Sequence, residues 1–378
     1  MEPYTLDRSF QKRDIIDAFH SIIWTERYYG DSEVELVVPA TSILVPKLLP
    51  GTLLGLSGSD EIMILETFNI ESGKLKVTGN SLLPWLNNRF VRTSPNHEDR
   101  YWYLQGDTVG YLLWSIVYFM CCSGSPYLDG TINTGIANPQ KLIIPGLTYG
   151  DHDRSGGPIS VGVPYGPVYD ALKEIATTFQ IGMQITLDSV SDTSFSLGFR
   201  NYKGLDRTSS QTDNPPVRFS PAMDSLTNIK ELQSIAALKT LVYAFAPGLR
   251  PQEGDPDIRT VPGVSSLTGP QYTGFDLRAL QIFSEDVTTD MVGGDPNNLV
   301  TVLNNRAHDA LTTNHFIKAV DGEIVPDNQF KYGEHYNLGD IIEVEGNSGM
   351  VQTARITEYI RAQDEAGEKA YPTVAMIG

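Results

Sequence analysis

The chain has 378 residues, 40% of them hydrophobic and 20% charged, which is the composition of a folded protein of two or three domains. Its net charge of −18 argues against a protein that binds a nucleic acid backbone or an anionic membrane through clustered Lys and Arg. The acidic excess either keeps the protein soluble or lines a wall past which nucleic acid moves without sticking. Plentiful Gly, Pro, Tyr and Phe favour strands and turns over helices.

Most of the first 93 residues are expected to form a compact antiparallel β unit, a small barrel or sandwich. Segments rich in β-formers alternate with turns that contain Gly, Ser and Asp. Ser42 is expected to cap a short helix that closes at Pro50-Gly51. The predicted strands cover residues 15–24, 33–38, 52–56, 61–70 and 74–79.

Helices and an irregular stretch follow from about residue 93. The longest apolar run, 109–122, has 14 residues, fewer than the roughly 20 that span a bilayer, so a buried helix is predicted over 107–122. Residues 124–157 are rich in Gly, Pro and Asn. Apolar residues at helical spacing predict a second helix over 168–179, ended by Gly182. Strands are predicted over 183–187 and 195–200, which makes this segment α+β.

Strands return after Pro215-Pro216 and are interrupted by a long Pro/Gly-rich loop over 247–274. Asn297 is expected to cap a helix that runs through Leu311. The predicted strands cover residues 217–220, 241–246, 316–320, 341–345, 351–359 and 371–377. Segments 49–79 and 338–377 share the pattern of a three-stranded meander, either by chance or because they are copies of one β module.

The common motifs of phosphate-binding enzymes, serine hydrolases and zinc proteases are missing from the sequence, so the chain is not expected to be an enzyme. Neither the phosphate-binding pattern G-x-x-x-x-G-K-[ST] nor the nucleophile pattern G-x-S-x-G occurs. His97-Glu98 lacks the second histidine of a zinc-protease motif. Carboxylates are so numerous that a close pair would not indicate a glycosidase.

Catalytic, cofactor and metal sites are all predicted to be absent. Asp151-His152-Asp153 is interpreted as a polar loop, because consecutive residues rarely point at one ion. His308-Asp309 and His315 lie around the end of a predicted helix, where histidines are usually surface residues. Cys121 and Cys122 are adjacent, which disfavours a disulfide, and they are expected to be buried rather than reactive.

Five motifs resemble a minor tail protein family of siphoviruses that infect Gram-positive hosts. We name them the opening, aromatic, proline, Leu-Gly-Asp and closing motifs. In chain order they are Leu6-Asp7-Arg8-Ser9-Phe10, Trp24-Thr25-Glu26-Arg27-Tyr28-Tyr29, Asn214-Pro215-Pro216-Val217-Arg218-Phe219-Ser220-Pro221, Leu338-Gly339-Asp340 and Ala354-Arg355-Ile356-Thr357-Glu358. They occur in the same order as in the family and extend from residue 6 to residue 358, so the resemblance covers nearly the whole chain.

The resemblance implies a baseplate-hub fold, in which two small tail-tube-like β-barrel domains (1–93 and 214–378) flank an α+β insert domain (94–213). It further implies a homotrimeric ring at the virion tail tip, which adapts a six-fold tail tube to a three-fold tip. The implied partners are the distal tail protein, the tape measure protein and the fibre or receptor-binding proteins, with DNA present only in transit.

The N-terminus lacks a basic segment followed by an apolar run, so no signal peptide or membrane anchor is predicted, and synthesis in the host cytoplasm is expected. Two alternatives to the hub remain at this stage. One is a cell-wall-degrading or carbohydrate-binding tip component, and the other is a β-rich adhesin unrelated to virions.

Overall fold

The computed structural model describes residues 1–96, 98–191, 194–246, 262–267, 272–287, 296–325 and 329–377. Its contacts divide the chain into two compact units. The first unit combines Met1–Asn228 with Gly322–Gly378, and the second is Ile229–Asp321. The β-rich character predicted from composition is confirmed. The three predicted domains are not tested by this division and stay a prediction.

The strands are numbered in chain order over the described residues. They are β1 (Pro3–Leu6), β2 (Lys12–Ile15), β3 (Ser21–Arg27), β4 (Glu33–Pro39), β5 (Leu53–Leu56), β6 (Ile62–Glu71), β7 (Lys74–Ser81), β8 (Phe90–Val91), β9 (Tyr101–Gly106), β10 (Leu147–Tyr149), β11 (Ile159–Pro164), β12 (Gly166–Pro167), β13 (Gly182–Ser191), β14 (Ser194–Tyr202), β15 (Arg218–Phe219), β16 (Leu226–Ser234), β17 (Leu241–Phe245), β18 (Gly263–Ser266), β19 (Ala279–Phe283), β20 (Ile317–Ile324), β21 (Ile341–Glu345), β22 (Val351–Asp364) and β23 (Gly367–Met376). The α-helices are α1 (Leu82–Trp85), α2 (Val109–Cys121), α3 (Val168–Thr178) and α4 (Pro296–Thr313).

A sheet of eleven described strands forms the centre of the first unit. Its order is β15-β21-β22-β3-β4-β7-β6-β5-β1-β2, and β23 pairs with β22. Neighbouring strands are antiparallel except for the parallel pair β15 and β21. Strands from both ends of the sequence therefore share one sheet, joined where β3 pairs with β22.

Both segments predicted as meanders form meanders within this sheet. β6 pairs with β5 on one side and β7 on the other, and β22 pairs in the same way with β21 and β23. The second meander is longer than predicted, because β22 continues to Asp364 and β23 begins at Gly367. That the two meanders are copies of one module stays a prediction.

Two local predictions near the N-terminus are wrong. The segment 15–24 is not one strand, because β2 ends at Ile15 and the chain turns before β3 begins at Ser21. Ile16 is fully buried in the core from this turn, so apolar content alone made the turn resemble a strand. The segment after Ser42 forms only a short 3-10 helix, Val45–Lys47, and the hydroxyl of Thr41 accepts the N–H of Leu44 at 3.2 Å in place of a cap from Ser42.

Both faces of β5 and of the first residues of β6 are buried, because each face packs into a different core. Leu53 and Ile62 belong to the core that contains α2 and α3, whereas Leu54 and Met63 belong to the core among the N-terminal strands. Successive side chains on a strand point to opposite faces, so a strand covered on both sides is apolar at consecutive positions. Each fully buried Leu or Ile stabilises the fold by roughly 1.5–3 kcal/mol.

The first predicted helix is confirmed as α2. It begins after Thr108, whose hydroxyl accepts the N–H of Tyr111 at 3.1 Å, the usual arrangement of an N-cap. Its apolar face, which includes Leu112, Leu113 and Ile116, is fully buried. Within the described residues, no helix is long and apolar enough to cross a membrane.

The second predicted helix is confirmed as α3, which ends at Thr178 rather than at Gly182. The chain leaves the helix through Gln180, which has the left-handed φ of 56°, and the N–H of Ile181 donates to Ala176. Gly182 instead begins β13, which pairs with β14, and β10 adds a parallel strand. The strands predicted over 183–187 and 195–200 are therefore confirmed and are longer than predicted.

The second unit contains a three-stranded sheet, β18-β17-β19, covered on one face by α4. Leu299, Leu303 and Ala307 of α4 pack on Val242 and Ala244 of β17. The helix predicted over 297–311 is confirmed, and the structure describes it from Pro296 to Thr313.

The Pro/Gly-rich loop predicted over 247–274 is wrong in part. Residues 263–266 form β18, which pairs antiparallel with β17. The Cβ of any larger residue at Gly263 would lie 2.2 Å from the backbone of Leu303, so this strand needs a glycine to pack on α4. Residues 247–261 and 268–271 of the predicted loop lie outside the described residues.

Candidate functional site: a junction of the sequence motifs

The aromatic motif and the closing motif lie on paired strands, β3 and β22. In their register Arg27 is opposite Glu358, and the Nε of Arg27 lies 2.6 Å from Oε1 of Glu358. The same guanidinium lies 2.6 Å from Glu33 on β4. Partly exposed ion pairs stabilise a fold by about 0–1 kcal/mol, so this one contributes more to the register of the strands than to stability.

Tyr28 of the aromatic motif connects β3 to the middle of the chain. Its ring is fully buried, and its hydroxyl lies 3.0 Å from the carbonyl oxygen of Gln180 and 3.2 Å from that of Tyr202. The hydroxyl also accepts the N–H of Gly204 at 3.3 Å. Burial raises the pKa of Tyr28, which keeps the phenol protonated and able to donate.

Two glycines make room for the ring of Tyr28. A Cβ at Gly182 would lie 2.2 Å from the ring, and one at Gly339, in the Leu-Gly-Asp motif, would lie 2.3 Å from it. Gly339 also has a φ of +91°, which side-chain-bearing residues rarely adopt. The glycine of the Leu-Gly-Asp motif is therefore required by close packing and by backbone conformation.

Arg355 of the closing motif covers the other side of this cluster. Its guanidinium lies over the ring of Tyr28, 5.3 Å from the centroid, and the residue is only 2% exposed. It donates to the carbonyl of Gly339 at 2.7 Å and to Oε1 of Gln180 at 3.0 Å. A buried cation requires such partners, because an unpaired one costs several kcal/mol. The aromatic, Leu-Gly-Asp and closing motifs thus meet in one contact set, which we call the motif junction.

Asp340 extends the motif junction through a buried ion pair. One carboxylate oxygen lies 2.6 Å from Nε of Arg207, and both side chains are almost fully buried. The same carboxylate accepts the N–H of Leu205 at 2.8 Å and that of Asn337 at 2.9 Å. The pair is well satisfied, and removing Arg207 alone would leave a buried charge at a cost of roughly 3–5 kcal/mol.

The proline motif joins the same region through Arg218 and Phe219. Arg218 lies 2.7 Å from Glu343 on β21. Burial raises the pKa of Glu343, but hydrogen bonds from Ser209 and Arg218 outweigh this effect, so the pKa is lower than usual. Phe219 is buried and packs edge-to-face on Tyr336, with ring centroids 5.6 Å apart. The motif therefore fixes β15 to β21.

Two acidic residues, the partly buried Glu26 and the buried Glu61, lie next to the junction. Glu26 of the aromatic motif forms an ion pair with Arg361 of β22. Glu61 is 5% exposed, and its Oε2 has no hydrogen-bond partner among the described residues. Burial, followed by the charge of Glu26, raises the pKa of Glu61 to about 8, against opposing contributions from Ser32 and Arg361. Glu61 is therefore largely protonated at neutral pH.

The residues that the sequence singled out for possible chemistry are not brought together. The segment that contains Asp151, His152 and Asp153 is irregular. The carboxylate of Asp153 accepts a hydrogen bond from the hydroxyl of Ser155. His315 lies after the end of α4, and its Nδ1 lies 2.9 Å from the carbonyl oxygen of Thr312. In the part of the chain that the structure describes, no three His, Cys, Asp or Glu side chains are placed to hold a metal ion. His97 lies outside that part.

The two cysteines are free and buried, in agreement with the sequence prediction. Burial raises the pKa of Cys121 far above its usual value and that of Cys122 to about 12. Thiolates are the reactive form, so both groups are unreactive at neutral pH.

Sequence reasoning did not assign a site residue, and it missed Gln180, Glu61 and the buried role of Arg355. Gln180 and Arg355 are 175 positions apart, so no local spacing could connect them. The available signal was the left-handed position after α3, where Gln180 replaces the usual Gly or Asn.

Comparison with solved structures gives matches at low sequence identity. The 43 kDa tail protein of prophage MuSo2 from Shewanella oneidensis is 12% identical over 99% of this chain and 98% of its own, with a TM-score of 0.51. The prophage tail protein gp18 from Listeria monocytogenes is 11% identical over 100% of this chain and 95% of its own, with a TM-score of 0.49. A chain of the phage P2 baseplate in its activated conformation is 13% identical over 99% of this chain and 98% of its own, with a TM-score of 0.44.

A search of curated proteins gave no match. At these identities the Shewanella structure establishes a likeness of fold alone. A family model, in contrast, matches residues 2–374, almost the entire chain and all five motifs. The chain belongs to the family of Siphovirus ReqiPepy6 Gp37-like proteins.

Proposed function

We propose that the chain is a structural, non-enzymatic protein of a bacteriophage tail. Its siphovirus family and its fold likeness to the Shewanella prophage tail protein support this. The observation that carries the proposal is the motif junction, in which three of the motifs that resemble the tail protein family form buried packing and ion pairs. Catalytic residues would instead converge on an accessible pocket.

The finer proposal is a baseplate hub at the tail tip. Three copies would form a ring that adapts the six-fold tube to the three-fold tip, with barrel domains at 1–93 and 214–378 and an α+β insert at 94–213. The two meanders, one from each proposed barrel, support this arrangement. The pairing of β3 with β22 would hold the two barrels of one subunit side by side.

In this proposal the ring lines the exit channel for the tape measure protein and then for DNA. The net charge of −18 suits such a channel, because an acidic wall repels the phosphate backbone. The distal tail protein would bind on one side of the ring and fibre or receptor-binding proteins on the other. The protein would therefore be located at the tail tip of the virion.

Light scattering coupled to size exclusion tests the ring on the purified full chain. A species of three times the 41.7 kDa chain mass is expected, and images should show a closed ring with three-fold symmetry. The same preparation is incubated with peptidoglycan, with lysozyme as the positive control. A monomer that hydrolyses peptidoglycan would contradict the hub and favour the cell-wall-degrading alternative.

A further inference from the structure

A cavity of about 330 Å³ lies in the first unit between the opening motif and the residues before β10. We call it the Phe10 pocket. Its volume is at the lower end of the roughly 300–1,000 Å³ that is typical of ligand pockets. The lining is mainly apolar and consists of Arg8, Phe10, Leu53, Ile64, Leu82, Trp85, Ile144, Pro145 and Leu197.

The opening motif holds Phe10 in an unfavourable backbone conformation at the wall of this pocket. Phe10 has a φ of 61°, in the left-handed region that bulky residues avoid. The carboxylate of Asp7 accepts the N–H groups of Ser9 at 2.8 Å and Gln11 at 3.0 Å, and this turn imposes the conformation. Gly146 leaves space for the ring, since a Cβ there would lie 2.8 Å from it. Strain maintained in this way commonly marks a functional surface.

Arg8 gives the rim of the pocket a positive charge. Its side chain is exposed and donates to the carbonyl of Gly51 at 2.8 Å. Among the described residues it forms no ion pair with a carboxylate. In a chain of net charge −18, an Arg without an acidic partner beside an apolar cavity is complementary to an apolar group that carries a neighbouring carboxylate.

We propose that the Phe10 pocket is an anchor site for a partner protein, and that it receives an aromatic side chain followed by an acidic residue. The ring would fill the cavity against Leu53 and Leu197, and the carboxylate would pair with Arg8. Anchors of this kind, one buried aromatic residue and one oriented charge, carry much of the affinity of protein interfaces. The inference goes beyond the ring proposal and does not depend on the oligomeric state.

Isoleucine-methyl NMR of the full chain tests the pocket, because Ile64 and Ile144 line it. Three blocked dipeptides are titrated: N-acetyl-Trp-Asp-amide, N-acetyl-Trp-Lys-amide and N-acetyl-Ala-Asp-amide. The Trp-Asp peptide is expected to shift both methyl signals and to bind roughly two- to fivefold more tightly than the Trp-Lys peptide. It is also expected to bind more tightly than the Ala-Asp peptide, which lacks the aromatic ring. Ile356, buried elsewhere in the unit, is the internal reference for an intact fold.

Two variants assign the contacts. Arg8→Gln should abolish the preference for the Trp-Asp peptide over the Trp-Lys peptide. The shifts of the Ile64 and Ile144 signals that depend on the Trp ring should remain. Leu197→Trp should fill the cavity and abolish the shifts, with the Ile356 signal confirming that the variant is folded. Unchanged Ile64 and Ile144 signals, or equal responses to Trp-Asp and Ala-Asp, would overturn the proposal. Binding of octanoate without binding of any dipeptide would also overturn it and indicate a lipid site.

Discussion

Replacing Glu61 by Gln should change how the stability of the first unit depends on pH. The carboxyl is protonated in the fold up to about pH 8, whereas in the unfolded chain it ionises near 4.5. A pKa that is higher in the folded state makes the native state lose stability as pH rises between these two values. The loss stops above about pH 8, where both states are ionised. Gln is neutral at every pH and should not show this loss.

The expected size follows from the interval between the two pKa values. Each pH unit contributes about 1.4 kcal/mol, so the wild type loses roughly 3 kcal/mol relative to the Gln variant between pH 4.5 and pH 7. Glu71, an exposed residue at the end of β6, provides the control substitution Glu71→Gln. Because all four tryptophans lie in the first unit, their fluorescence in urea reports on that unit alone.

Unfolding free energies are therefore measured at pH 5, 6, 7 and 8 for the wild type and both variants. The difference between Glu61→Gln and wild type should increase with pH, and Glu71→Gln should follow the wild type. Glu26→Gln should reduce the pH dependence, since the charge of Glu26 helps to raise the pKa of Glu61. Parallel curves for wild type and Glu61→Gln would refute the reasoning.

Three further predictions concern packing, reactivity and the channel. Gly339→Ala should destabilise the first unit by roughly 3 kcal/mol in the same urea assay, because the added Cβ clashes with Tyr28. The control is Gly349→Ala, at a glycine that also has a left-handed φ but has open space where the Cβ would lie. This control should cost only roughly 1 kcal/mol. Cys121 and Cys122 should stay unmodified by a thiol reagent in the native protein and react together after unfolding in urea, and rapid native labelling would contradict their burial. A map of an assembled ring should show more Asp and Glu than Lys and Arg on the inner wall, and a basic lumen would leave the net charge with a solubility role only.

The sequence was most informative where local chemistry determines the structure. The helical spacing of the apolar residues in α3 and the apolar run of α2 are local patterns, so these helices could be predicted within a few positions. The strand predictions failed where a turn buries an apolar residue, as at Ile16, or where a strand such as β18 lies in a glycine-rich segment. In both cases a tertiary contact outweighs the local pattern.

The motif junction could not be predicted because its contacts join distant parts of the chain. Tyr28 meets Gln180 across 152 positions, and Arg207 meets Asp340 across 133. The resemblance to the tail protein family identified these motifs but assigned them no contacts, and the structure provides the reason for several of their residue types. A glycine is needed beside Tyr28, an arginine above it, and an aspartate that accepts two N–H groups and one guanidinium.

This arrangement also bears on how the proposed hub would respond to load. The junction links β3 to β22 and both strands to the segment around Gln180, so separating the two ends of the chain would require exposing a buried arginine and a buried ion pair together. Each of these costs several kcal/mol when it is left unpaired. The interactions share residues and should break cooperatively rather than one at a time. A subunit held in this way would keep its two meanders in fixed register while neighbouring proteins of the tail move.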